Sequence, residues 1–254
     1  MENTTEQKRF GLSGSTLKII AMATMLIDHI GAAVLWRYIR DMPYHACFSL
    51  ERYNQLVILY RVMRGIGRIA FPIYCFLLVE GFQKTRNLKR YILRLGIFTV
   101  IAEVPFDLCF TSQVFSLSYQ SVMLTLLVGV ITMWGVSMLE KHVKNRLLLI
   151  LGGTAVIALG AGAAELMHTD YGYMGILCIM VLYALRRVKW VQITGGCLVF
   201  LWEIWAPIAF IPVAFYNGKR GVRLKYIFYL FYPLHLLILY LICVYMGLGN
   251  IPAV

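Results

Sequence analysis

The chain has 254 residues, 60% of them apolar or aromatic and 14% charged, against roughly 25% charged in an ordinary soluble domain. Mean hydropathy is +0.73. A water-soluble globule cannot hide that much apolar surface, and the same numbers exclude disorder. The net charge is +12, from 24 Lys+Arg against 12 Asp+Glu. The basic residues sit in the gaps between apolar runs, where a membrane protein keeps its cytoplasmic charge, so nucleic acid is rejected as a partner.

The first sixteen residues are polar and read as a cytoplasmic N-terminal tail. Apolar runs then occupy 17–36, 69–83, 91–110, 120–139, 146–167, 171–185, 190–216 and 226–248. A twenty-residue helix covers the ~30 Å hydrocarbon layer. Shorter runs need tilt, thinning or burial among other helices. The first run is as long as a span and lacks a small-residue cleavage site, so no cleavable signal peptide is expected. The expectation is an all-α, polytopic membrane helix bundle of eight or nine membrane segments. It forms one transmembrane domain over 17–254, with an extracytoplasmic connection at about 37–63.

Placing the N-terminus inside puts Lys8, Arg9 and Lys18 on the cytoplasmic side. The next inside loops hold Lys84, Arg86, Lys89, Arg90 and Arg94, then Lys141, Lys144 and Arg146, then Arg186, Arg187 and Lys189. The connections 111–119 and 168–170 hold no Lys or Arg, a clear positive-inside pattern. Two segments strain it. Residues 37–68 carry Arg37, Arg40, Arg52, Arg61, Arg64 and Arg68, either as a solvated loop or as part of a substrate mouth. Residues 190–216 form one span, or two short helices meeting near Glu203 or Pro207. The charge rule favours two, which returns Lys219, Arg220, Arg223 and Lys225 inside and leaves the C-terminus outside.

Ionisable groups inside apolar runs cost at least ~2.5–3.5 kcal/mol at mid-depth, so they are candidates for function. Asp28 and His29 lie in the first run, His29 eleven residues and ~16 Å beyond Lys18. Arg64 and Arg68 are four apart and share a helix face that suits a carboxylate, a phosphate or Asp28. Glu103 and Asp107 are likewise four apart, with Pro105 between them, and either line an outer cavity or end a helix in water. Tyr226, Tyr229 and Tyr232 recur at helical spacing and read as an interface belt, while His235 follows three residues on, inside a span. His45 and His142 read as solvated loop residues. The six cysteines have no metal-type spacing, and no metal is expected.

Several blocks carry a family resemblance: LKIIAMATMLIDHIG at 17–31, RGIGRIAFPIYCFLLVEGFQKTRN at 64–87, RLGIFTVIAEVPFDLCF at 94–110, DYGYMGIL at 170–177 and NGKRGVRLKYIFYLFYPLHLL at 217–237. In this order, over nearly the whole chain, they resemble the TraX family, named for the enzyme that acetylates the N-terminus of conjugative pilin. That family in turn looks like a branch of the transmembrane acyltransferases, with the type 3 acyltransferases and the lysosomal heparan glucosaminide acetyltransferase. Type 3 enzymes carry an Arg, ten residues, then a His on the first helix. Lys18 and His29 have that spacing here, with Lys for Arg. Their Ser-Gly-Phe stretch corresponds to Glu80-Gly81-Phe82, and their Tyr-Leu-x-His to Tyr232-Pro233-Leu234-His235.

The resemblance implies a bacterial inner-membrane enzyme that moves an acetyl group from cytoplasmic acetyl-CoA to an amine or hydroxyl acceptor. The acceptor is a pilin or peptide N-terminus, a glycan hydroxyl or a lipid amine. The residue placement suits this. Lys18, Lys84, Arg86, Lys89, Arg90 and Arg94 would clamp the donor's phosphates from inside. His29, with an ordinary pKa near ~6.5, would be the base or a transient acyl carrier. Asp28 and Glu103 are the candidates to orient it, and Arg68 a donor to the thioester oxyanion. Arg64, Asp107 and His235 would face the substrate side. Proton-coupled transport or flipping of an anionic or lipid substrate is the alternative, and a non-enzymatic scaffold a third reading. The sequence shows no inverted repeat in support of transport.

Overall fold

The computed structural model describes residues 11–44, 49–222 and 225–253. Most of the expected tail, together with His45, Cys47 and Arg223, lies outside the described residues.

α1 (Gly14–His29) runs straight into a π-helical turn at Ile30–Leu35, then α2 (Trp36–Asp41) and a 3-10 turn at Met42–Tyr44. α3 (Leu50–Gly67) returns along it and is followed, after a two-residue turn, by α4 (Ala70–Lys84). Then come α5 (Leu88–Thr111), α6 (Val122–His142), α7 (Arg146–Leu166), α8 (Gly172–Ala184), α9 (Lys189–Val199), α10 (Phe210–Ala214) and α11 (Lys225–Tyr245). Among the described residues, β pairing is confined to two isolated bridges, Leu12 with Tyr216 and Gln120 with Thr169.

Among the described residues, four stretches are long and apolar enough to cross a membrane: Gly14–Tyr44, Leu50–Lys84, Val122–His142 and Arg146–Leu166. This is fewer than the eight or nine expected; α11 counts from Tyr229 as a shorter apolar helix, and the other differences have physical reasons. Lys89, Arg90, Arg94, Glu103 and Asp107 break the apolar content of α5. α8 and α9 have only 13 and 11 residues. α8 is short because it lies inside the bundle, with Ile176, Cys178, Ile179 and Leu182 fully buried. The ambiguous 190–216 run is two short helices, joined by turns around Glu203 and a 3-10 turn at Ala206–Ala209.

Local chemistry fixes the ends. Ser13 caps α1 by accepting from the Thr16 amide. The next free amides of α1, on Gly14 and Ser15, donate to the Lys219 and Arg220 carbonyls. Gly221 makes this wrap possible, since its φ is +74° and a Cβ there would strike the Ser13 and Ser15 hydroxyls. Asn87 and Asn145 cap α5 and α7. Lys84 donates to the Gly218 carbonyl, Lys189 to the Tyr216 carbonyl, and Arg186 to Glu140. The start of α1, the ends of α4, α6 and α8 and the start of α9 therefore meet at one basic end.

Buried apolar side chains form two clusters. One joins the first half of α1 to α4, α6, α8, α9 and α10. The other joins the second half of α1 to α5 and α11. Tyr74, Val122 and Met123 pack against both.

Candidate functional site

The second cluster encloses the polar centre. His29, the last residue of α1, is buried. Its Nδ1 lies 2.7 Å from Nε2 of His235 on α11, and the two rings are parallel within 3°. His235 Nδ1 lies 2.7 Å from the Phe231 carbonyl, one turn back on the same helix. A carbonyl only accepts, so His235 Nδ1 carries the proton. In the neutral pair His235 Nε2 then accepts from His29 Nδ1–H. The network thereby assigns the free lone pair to His29 Nε2. The edges of Phe110 and Tyr232 close around the His29 ring. The buried Tyr232 hydroxyl has no hydrogen-bond partner among the described residues.

The π-helical turn starts immediately after His29. A π turn inserts an extra residue into the helical register, and such turns recur at functional sites. Here it presents Gly31, Ala32 and Ala33 to the interior.

On the other side of α1, Asp28 Oδ2 accepts from Arg64 at 2.7 Å. The approach is close because residue 67 is glycine: a Cβ there would overlap the Asp28 side chain. Arg68 Nε lies 3.4 Å from Glu203, in the turn between α9 and α10, and also faces the Tyr171 hydroxyl. Tyr119, from the α5–α6 connection, donates to Asp170. Burial raises the Asp170 pKa, against the hydrogen bond from Tyr119 and the charges of Arg68 and Arg64. The result is a polar layer of three carboxylates, two guanidiniums and two phenols, contiguous with the histidine pair.

The other sequence candidates separate from this layer. Neither Asp28 nor Glu103 is hydrogen-bonded to His29; the partner is His235, expected on the substrate side. Glu103 accepts from the Ser121 amide at 3.2 Å and its hydroxyl at 3.0 Å, at the start of α6. Asp107 is fully buried and accepts from the Ser116 amide at 2.8 Å. Both acids thus hold the α5–α6 connection. Arg37 is fully buried as well, donating to the Ile251 and Ala33 carbonyls and to Ser112. It ties the C-terminal segment to α5.

Of the cations expected at the donor's phosphates, Lys18 and Lys84 lie at the basic end, Lys18 beside Arg220. Arg86, Lys89 and Arg90 are exposed at the start of α5, and Arg94 lies one turn deeper, beside Tyr229. Sequence reasoning did not assign Tyr119 or Tyr171 to the site and left Asp170 and Glu203 at a turn and in an ambiguous segment. Tyr171 and Asp170 do fall within the DYGYMGIL block, the one available signal.

Fold and site define a helical membrane protein with a buried polar centre shared by its first and last helices. The chain belongs to the TraX family: the family described as TraX protein matches residues 13–243. It is also similar to a curated relative from Dichelobacter nodosus, described as "Probable fimbrial assembly protein FimC, serogroup H1". The two are 28% identical over 91% of this chain and 96% of the relative. No solved structure matches.

Proposed function

We propose that the protein is a membrane-embedded acetyltransferase acting from the cytoplasmic membrane of a bacterium. The donor is cytoplasmic acetyl-CoA and the acceptor an amine, with a pilin or peptide N-terminus favoured and a hydroxyl as the lesser option. The observation that carries the reading is the buried His29–His235 pair, whose network leaves His29 Nε2 as a free base. The family and the similarity to a fimbrial assembly protein support a pilin-related acceptor.

In this reading the N-terminus and the basic end are cytoplasmic, and there are nine membrane segments, α9 and α10 counting as two half-crossings. Lys18, Lys84, Arg86, Lys89, Arg90 and Arg94 give the cytoplasmic face its attraction for a phosphate-rich donor. The acceptor nitrogen attacks the thioester carbonyl carbon. A C–N bond forms, the C–S bond breaks, the amine proton passes to His29 Nε2, and His29 returns that proton to the departing thiolate sulfur. Arg64 and Arg68 are the donors available to the developing oxyanion.

The test is acetyl transfer from labelled acetyl-CoA to a synthetic pilin-like N-terminal peptide and to the membrane fraction. The expected result is turnover by the purified chain and none by His29→Ala, which still inserts and still binds coenzyme A. Full turnover by His29→Ala would sink the assignment. A second reading, proton-coupled transport of an anionic or lipid substrate, draws on the buried Asp28–Arg64 and Arg68–Glu203 pairs. Substrate counterflow in liposomes, with no transfer, would favour it.

A further inference from the structure

A second site lies at the opposite end of α4 from Asp28. An open cavity of about 580 Å³ is walled by Lys84, Arg186, Arg187 and Lys189, with Glu80 and Tyr216. Its size falls within the ~300–1,000 Å³ typical of small-molecule sites. Four cations from two separated segments converge on it; Lys84 pairs with Glu80 at 2.5 Å and Arg186 with Glu140, which leaves Arg187 and Lys189 in excess.

A solvated rim would leave such heads free, but three are held in place. Lys84 donates to the Tyr216 hydroxyl at 3.1 Å and the Gly218 carbonyl at 3.0 Å. Lys189 donates to the Tyr216 carbonyl at 3.0 Å. Arg186 donates to the Tyr183 carbonyl at 2.7 Å, pairs with Glu140 at 2.8 Å and stacks 3.7 Å from the Tyr183 ring. One loop residue, Tyr216, thus binds two of the cations through different atoms. Arg187 is exposed beside them. Fixing like charges around one concavity costs energy that a multiply charged anion recovers. Lysine and arginine donors together suit phosphate oxygens.

We propose that this cavity binds the phosphate groups of an anionic ligand. The nucleotide end of a coenzyme A thioester and an anionic lipid headgroup both carry that chemistry. The site shares Lys84 with the cations expected from the sequence and takes the other three from the α8–α9 turn. The geometry does not involve the histidine pair; only the coenzyme as ligand rests on the donor reading above.

The experiment titrates coenzyme A, and separately inorganic pyrophosphate, into the detergent-purified full chain by calorimetry. The variants are Arg187→Glu and Arg187→Glu/Lys189→Glu, with Lys144→Glu as an exposed basic comparator outside the cavity and thermal unfolding to show that each is folded. A parallel arm measures retention of phosphatidylglycerol by protein extracted from vesicles of that lipid and phosphatidylcholine. Saturable binding of coenzyme A and pyrophosphate, weakened on the order of tenfold or more in the folded double variant but not in Lys144→Glu, supports a soluble ligand. Phosphatidylglycerol retention lost in the same variants supports a headgroup. The proposal is overturned if neither ligand binds, if the folded cavity variants bind as the wild type does, or if Lys144→Glu weakens binding equally. Cavity binding without any acetyl transfer would defeat the donor reading and leave this one standing. Transfer that is indifferent to the cavity variants would do the reverse.

Discussion

Two regions of this molecule place acids and bases within apolar helices, and they use them differently. In the α5–α6 connection, Glu103 spends both oxygens and Asp107 one on amides and a hydroxyl within eighteen residues of chain. Around α1, His29, Asp28 and Arg64 bond to side chains 36 to 206 residues away. Among the described residues, Asp28 Oδ1 and the Tyr232 hydroxyl have no hydrogen-bond partner, and in the other region the same holds for Asp107 Oδ1. Local partners, mostly backbone amides, fix a turn. Long-range side-chain partners that join separate helices build a site. Comparing variants in the two regions tests that distinction directly.

The largest effect is expected at His29. His29→Ala should reduce acetyl transfer by at least ~10²–10⁴-fold, the usual contribution of a general base, with unfolding little changed. Stopped turnover in a protein that has lost its fold would leave His29 a packing residue, so thermal unfolding must be measured beside the rate. His235→Ala should cost less, ~10- to 100-fold, the equivalent of one buried hydrogen bond that orients the base. His235→Gln should recover much of the loss, because its amide oxygen can accept from His29 Nδ1–H. A purely structural role for His235 predicts no such difference between Ala and Gln in rate per folded molecule.

Gly67→Ala tests the approach of α3 to α1. The added Cβ overlaps Asp28, and the helices must separate. A destabilisation of ~1–3 kcal/mol is expected from overpacking, with transfer reduced because the Asp28–Arg64 bond is disturbed. Denaturant titration in mixed micelles reads the first effect and the transfer assay the second.

How much of this was legible beforehand follows from the kind of signal. Continuous apolar runs reported α1, α4, α6, α7 and α11, since each buries a stripe along one uninterrupted segment. The split of 190–216 was also readable, because only two short helices return Lys219 and Arg220 to the basic end. The π turn after His29 was not, because one extra residue in a uniformly apolar run alters no periodicity that can be seen. Nor was the His29–His235 bond: both residues stood out singly, but their pairing depends on how α1 and α11 cross. Arg37 was counted among the outward-facing arginines of 37–68, and the structure buries it against the C-terminal segment. Its carbonyl partners have no sequence signature.

In the α5–α6 region the expected effects are on stability rather than on rate. Asp107→Ala removes the acceptor of a buried amide and should cost ~1–3 kcal/mol. Turnover per folded molecule should stay at the wild-type level, measured as rate divided by the folded fraction.

The smallest effect is expected at Glu103, and it separates the two regions most sharply. Glu103→Gln keeps one oxygen to accept from the Ser121 amide. The Ser121 hydroxyl can rotate from donor to acceptor for the new amide group. Stability should therefore change by less than ~0.5 kcal/mol, the range of a substitution that breaks nothing. Loss of the negative charge at the start of α6 removes only a weak helix-dipole contribution. If Glu103 instead oriented the histidine base, the same variant would exchange a carboxylate for a neutral group beside a developing imidazolium. The rate would then fall by about tenfold or more with stability unchanged. An unchanged rate assigns Glu103 to the α5–α6 turn and leaves the Phe231 carbonyl and His235 as the groups that hold His29 in place.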